Sequence, residues 1–188
     1  MRRPSRHRSR DRLFVRIRHV APPLADRRLV TRSRSYAFQS ALATLSLLAI
    51  VVVEDVVLNV AIVVAMASTV FTIFVVPDSV AATPRKVIGG HVAGVVAGSI
   101  VVGLLGIPDI SAIVDSSPHI RNAVAALTLG LSMVMMVITD TEHPPAAGAA
   151  LGLVIHGWSW SSIGVILVGA VVLSAIRIAL RPRLVNLL

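Results

Sequence analysis

Three observations predict an all-α membrane protein, a bundle of six helical segments. Apolar residues make up 55% of the 188 residues and charged ones only 14%, well below the roughly 25% charged content of soluble domains. The apolar residues fall in runs about long enough to cross ~30 Å of hydrocarbon. Between two of those runs lies a charged, proline-broken element, Thr139-Asp140-Thr141-Glu142-His143-Pro144-Pro145, followed by Ala146-Ala147-Gly148-Ala149-Ala150. A helix interrupted near mid-bilayer survives only where protein surrounds it or where it lines a wet cavity.

Taken in order, the first segment is Tyr36 to Val53, closed by Glu54 and Asp55, and the second is Val56 to Val76, stopped by Pro77-Asp78. The third runs from Val87 to Leu105 after Pro84-Arg85-Lys86, and the stretch from Gly106 to Pro118, with its prolines and acids, reads as a loop. The fourth is Ile120 to Ile138, and the last is Trp158 to Leu180, closed by Arg181-Pro182-Arg183. Between these two lies Pro144 to His156, whose thirteen residues reach only about 20 Å, so it reads as a proline-started half-helix. If it crosses, Arg85, Lys86, Arg177, Arg181 and Arg183 share a side with the N-terminal tail, while Glu54, Asp55, Asp109 and Asp115 face the other. The positive-inside effect then predicts six crossings with both termini cytoplasmic, in an inner (plasma) membrane of bacterial type. The six segments also divide into two sets of three, which an odd count would place in opposite orientations, as inverted repeats. Plain hydrophobic periodicity without duplication is the alternative.

The charge of +9 sits almost wholly in residues 1–35, where twelve arginines face only Asp11 and Asp26. This segment is expected to be a disordered cytoplasmic tail held to anionic lipid, at about 1 kcal/mol per basic residue. An arginine-rich tail can also bind RNA, but only Phe14 interleaves an aromatic ring with its early arginines, and no nucleic-acid partner is expected. Its arginine- and serine-rich start also has the composition of an organelle transit peptide. Residues 36–181 then form the transmembrane domain and residues 182–188 a short C-terminal tail. The absence of cysteine removes disulfides, thiolate metal sites and cysteine nucleophiles.

Candidate chemistry concentrates at the broken element. Small residues in the second and fifth segments, and Gly90, Gly94 and Gly98 on one helical face, first of all let helices approach closely. Pro144 and Pro145 suit the first turn of a helix whose start would offer N–H groups and partial positive charge to an anion. Asp140 or Thr141 would alternatively cap that end. His143 could donate to a passing anion or relay protons, or make a structural hydrogen bond to Glu142 or a carbonyl. Arg85 would neutralise an entering anion or simply snorkel. His91, His143 and His156 are enough imidazoles for zinc, but none forms an i, i+4 pair, and no metal or other cofactor is expected. Ser68 has no neighbouring base, so it does not read as a hydrolytic nucleophile, and the chain does not read as an enzyme.

His143-Pro144-Pro145-Ala146-Ala147-Gly148-Ala149 resembles the signature of the HPP family of integral membrane proteins. A second block resembles it too: Val76-Pro77-Asp78-Ser79, then Pro84-Arg85-Lys86-Val87-Ile88-Gly89-Gly90-His91. Lys86 stands where the family usually has asparagine, and Ala65-Met66-Ala67-Ser68 where Pro-x-Gly-Ala-Ser is typical. Some plastid and cyanobacterial members act in nitrite transport, so the resemblance implies a membrane transporter or channel for a small monovalent anion such as nitrite. On that expectation Ser68, Thr69, Arg85, His143, Pro144, Pro145, Ala147 and Gly148 contact the anion, and Asp78, Asp140, Glu142 and His91 couple its passage to protons. The expected partners are the anion, the lipid bilayer and further copies of the chain. The rival expectations are a non-transporting scaffold or regulatory membrane module and a metal-dependent intramembrane enzyme.

Overall fold

The computed structural model describes residues 32–53 and 60–188. Seven α-helices and two short 3₁₀ turns account for these residues, and no strand occurs among them. The helices are α1 (Ser33–Val53), α2 (Val60–Val75), α3 (Pro84–Leu105), α4 (Pro108–Asp115), α5 (Pro118–Ile138), α6 (Pro144–His156) and α7 (Trp160–Leu180). The 3₁₀ turns are Val80–Ala82 and Arg181–Arg183. The arginine-rich tail up to Thr31 and the Glu54-Asp55 pair, on which part of the expected topology rested, lie outside the described residues.

Prolines set most of these boundaries. Pro84, Pro108, Pro118 and Pro144 each open a helix, where a missing N–H costs nothing and the fixed φ is already helical. Hence α3 starts three residues before the apolar run that predicts it, and Pro108 starts α4 within what reads as a loop. The fifth boundary is a Schellman turn. Asp140 takes the left-handed conformation at φ 53°, its N–H reaches Val137 O (3.2 Å), and the Thr141 N–H reaches Met136 O (2.8 Å).

Four helices are long and apolar enough to cross a membrane: α1, α3, α5 and α7, the last taken on through Arg183. Their outer faces carry Leu45, Leu127, Val137, Ile138 and Val168, all more than half exposed, which is the apolar surface a lipid environment requires. Of the two shorter apolar helices, α6 is buried along most of its length, whereas α2 buries one face and leaves Val60, Val64 and Phe71 exposed on the other. On α2, Ile62, Met66, Ile73 and Phe74 are fully buried, as are Ala146, Ala149, Ala150 and Leu153 on α6.

Glycine lets α6 lie directly on its neighbours. A Cβ added to Gly94 would sit 2.5 Å from Ala146 O, and one on Gly98 would sit 3.0 Å from Ala150 O. The face of α3 formed by Gly90, Gly94 and Gly98 therefore touches the backbone of α6, with the two helices running parallel. On its other side α6 runs antiparallel to α2, with Gly148 against Ala65 and Gly152 against Ile62. Because His143 packs at Gly90, six residues after Pro84, the break lies about 9 Å along α3, whose 22 residues span about 33 Å. It thus lies between the start of that helix and its middle.

The C-terminal residues 182–188 are integrated in the fold. Leu184 and Leu187 are buried, and the fully buried Gln39 of α1 binds this segment. Its amide donates to Val185 O (2.9 Å) and to Phe74 O, and its carbonyl accepts from the Val185 N–H (3.2 Å). The Leu187 N–H donates to Val75 O (3.0 Å), Tyr36 donates to Leu187 O, and Arg32 donates to Asn186 O (3.1 Å). The start of α1 and the end of the chain thus lie together.

Candidate functional site

Three polar side chains that are far apart in sequence meet in the buried centre. Thr69 comes from α2, His91 from the second turn of α3, and His143 from the position that caps α6; none has any exposed surface. Thr69 Oγ1 lies 3.0 Å from His143 Nε2 and 3.4 Å from His91 Nε2. It is also 3.2 Å from Ala65 O. The opposite edge of each ring is tied to a carbonyl: His91 Nδ1 donates to Val87 O (2.9 Å) and His143 Nδ1 to Ala81 O (2.8 Å). The ring centroids are 5.2 Å apart. Gly90 makes this meeting possible, since a Cβ there would fall 2.7 Å from His143 Cβ. His156 is at the far end of α6, and among the described residues no group of three or more His, Cys, Asp or Glu is placed to hold a metal ion.

A layer of charge covers the triad toward the α3 start. Lys86, nearly buried, contacts both Asp140 and Glu142, and Arg85 reaches Asp140 at 3.1 Å. The Lys86 ammonium, through its hydrogen bonds first and its charge as well, holds both carboxyl groups below their ordinary range. Arg85 adds to this at Asp140. Two cations face two anions, so the cluster is close to neutral. Asp78 stands apart, paired with Arg181 and bonded through its N–H to Asn186 Oδ1 at 3.2 Å.

Beside the triad is a cavity of about 480 Å³ lined by Ser68, Phe71, Thr72, Ser79, Ala81 and Pro144 with their neighbours Val76 and Pro145. Of the residues expected to meet a solute, Ser68, Pro144 and Pro145 line this space. Thr69 and His143 sit one layer behind it, screened by Ala81 and Pro144. Ala147 and Gly148 do not face it: Ala147 packs with Ala93 and Met136, and Gly148 against Ala65. Arg85 is in the charged layer. The expectation of free amides at the start of α6 is corrected. Pro144 and Pro145 have no N–H, and the Ala146 N–H already donates to His143 O at 2.9 Å. Of the four donors a helix start normally presents, two are missing at the prolines and that of Ala146 is used, so backbone capture of an anion there is weak.

Sequence reasoning missed Lys86 as the partner of Asp140 and Glu142, although its place next to Arg85 in the second motif block was visible. It also missed Gln39. A single amide in an apolar helix, where a polar group needs a partner, was the available signal.

These features define the class: an integral membrane protein made of helices, with a buried polar centre where α2, α3 and the start of α6 meet and a charged cover at one end. The chain belongs to the HPP family. Residues 29–184 match the family described as "HPP, transmembrane region". That span includes both motif blocks and every residue of the triad. No curated protein and no solved structure matches the chain.

Proposed function

We propose that the protein moves a small monovalent anion, nitrite being the first to test, along a route that starts at the cavity bordered by Ser68, Thr72 and Pro144. The observation that carries this is the position of that cavity: its hydroxyl-bearing wall lies next to the fully buried polar cluster of Thr69, His91 and His143. Polar groups at membrane depth are costly and belong to solute pathways more often than to packing. The resemblance to family members acting in nitrite transport supports the choice of ion. Since Thr69, His91 and His143 have no exposed surface, passage requires α6 to shift against α2 or α3.

The proposed topology is six crossings, with α2 and α6 as the short inner pair and α1–α3 and α5–α7 as inverted halves. Antiparallel contact between α2 and α6, and the meeting of Arg32 with Asn186, support it. The side carrying Arg85, Lys86, Arg177 and Arg181 is read as cytoplasmic. Flux of nitrite, nitrate and formate into proteoliposomes is the test. Wild type should carry at least one of them, and His143→Ala should lower that flux by on the order of 10²-fold if the imidazole handles a proton during transport. Unchanged flux in the variant removes the imidazole from the route.

A second reading, a non-transporting scaffold or regulatory membrane module, is favoured by the complete burial of the triad. It is the one to adopt if wild-type proteoliposomes pass none of the three ions.

A further inference from the structure

The buried triad is short of one hydrogen. Each imidazole uses Nδ1–H to reach a carbonyl, Val87 O for His91 and Ala81 O for His143, which leaves a lone pair on each Nε2. Both lone pairs face Thr69 Oγ1, and Ala65 O is a third acceptor for the same hydroxyl. One O–H cannot serve two Nε2 atoms, so in the neutral cluster one buried nitrogen has no donor. Such a group is expensive to leave unsatisfied.

We propose that Thr69, His91 and His143 form a binding site for a single proton, shared between the two imidazoles through the threonine hydroxyl. With one proton added, one Nε2–H donates to Thr69 Oγ1 and the Oγ1–H donates to the other Nε2. Every polar atom at the centre is then satisfied. The charge crosses between the rings when the Nε2–H bond breaks as a new O–H bond forms, while the original O–H breaks and its hydrogen bonds to the second Nε2. Atoms and charge balance, and no heavy atom has to travel. His143, whose Nδ1 partner Ala81 and chain neighbour Pro144 both line the cavity, is the ring on the solute side.

The surroundings neither supply nor withdraw this proton. The packed elements carry Arg85 and Lys86 on α3, Asp140 and Glu142 on the turn before α6, and Arg177 near the end of α7, with Asp78 and Arg181 paired beyond it. Among these, Lys86 and Arg85 face Asp140 and Glu142, and Arg177 donates to Pro77 O at 2.7 Å. Neither α2, residues 79–83, nor α5 over 122–138 has an ionisable side chain, and His156 is at the opposite end of α6. Of the groups expected to couple protons, Asp78, Asp140, Glu142 and His91, the proposed site uses His91, joined by His143.

The test is ¹⁵N NMR of histidine-labelled full-length protein in lipid nanodiscs, titrated from about pH 8 to about pH 4, across the range where imidazoles change charge. In wild type the Nε2 signals of His91 and His143 should move together, with one midpoint and one proton between them. Thr69→Val keeps the shape but lacks the hydroxyl, and should separate the two titrations and slow exchange between the rings on the order of 10²-fold. Thr69→Ser should restore the joint titration, which a purely structural role for the methyl group would not produce. Two independent midpoints in wild type, no movement of either Nε2 signal, or a Thr69→Val titration identical to wild type would each overturn the proposal. Anion flux is not a readout here, so failure of the transport reading leaves this result standing, and the reverse also holds.

Discussion

Adding one methyl group to Gly94 should force α3 away from α6. The new Cβ of Gly94→Ala would sit 2.5 Å from Ala146 O and 3.3 Å from Ala146 C. Ordinary contact begins at 3.4 Å, so the helices must part by about 0.9 Å in an interior packed without spare volume. The obstructing atoms are backbone in the first turn of α6, and no rotamer change can relieve them. Overpacking of this kind costs roughly 1–3 kcal/mol, which corresponds to a fall in Tm of roughly 2–12 °C for a chain of this size. Gly130→Ala is the control: it lies inside α5, a Cβ there meets nothing within 4 Å, and its stability should stay within about 1 kcal/mol of wild type. Thermal unfolding in one detergent, followed by circular dichroism, compares the two. Equal stability of both variants would refute direct backbone contact between α3 and α6, and with it the packing that brings His143 to Thr69.

Asp140 and Glu142 have lowered pKa values because of Lys86, so their contribution to stability is complete above their ordinary values of 3.8 and 4.5 and is lost as pH falls through the folded ones. Wild-type Tm should drop on acidification below about pH 4, whereas Lys86→Gln should start lower at neutral pH and show a flatter acid limb. Parallel curves would rule out this ion cluster as the source of the acid sensitivity. Gln39→Leu removes the bonds to Phe74 O, Val185 O and the Val185 N–H. It should cost about 1–3 kcal/mol for each group left buried and unpaired, and expose residues 184–188 to carboxypeptidase, so resistance equal to wild type would show that the segment is held by other contacts. Because the chain has no cysteine, Ser33→Cys and Asn186→Cys can each be labelled alone in right-side-out vesicles. Both should react from the same side of the membrane, and labelling from opposite sides would contradict the contact between Arg32 and Asn186.

Much of the fold was legible in hydrophobic runs and prolines. Pro144 marked the start of α6, since a missing N–H acts locally. The boundary at Ser33 was less visible, because its polar, basic residues belong to α1 yet resemble the tail. Helix α4 was hidden by its acids and by the glycine and proline ahead of it. At the site, Thr69, His91 and His143 were each suspect as polar residues in apolar surroundings, but their convergence was not. Residues 69, 91 and 143 lie on three different elements, and what joins them is the approach distance that Gly90 permits.

Composition, apolar periodicity and the two motif blocks were enough by themselves to determine a helical membrane protein of the HPP family with a proline-started short helix, because those properties depend on neighbouring residues and on the solvent each segment needs. Only the tertiary structure decided which way the polar groups face. It turned Ala147 and Gly148 into packing, set Lys86 against both carboxylates, used the Ala146 N–H within the start of α6, and placed two imidazole lone pairs on one hydroxyl. Hydrogen bonds and ion pairs reach only a few ångströms, so their partners are set by how helices distant in sequence pack together.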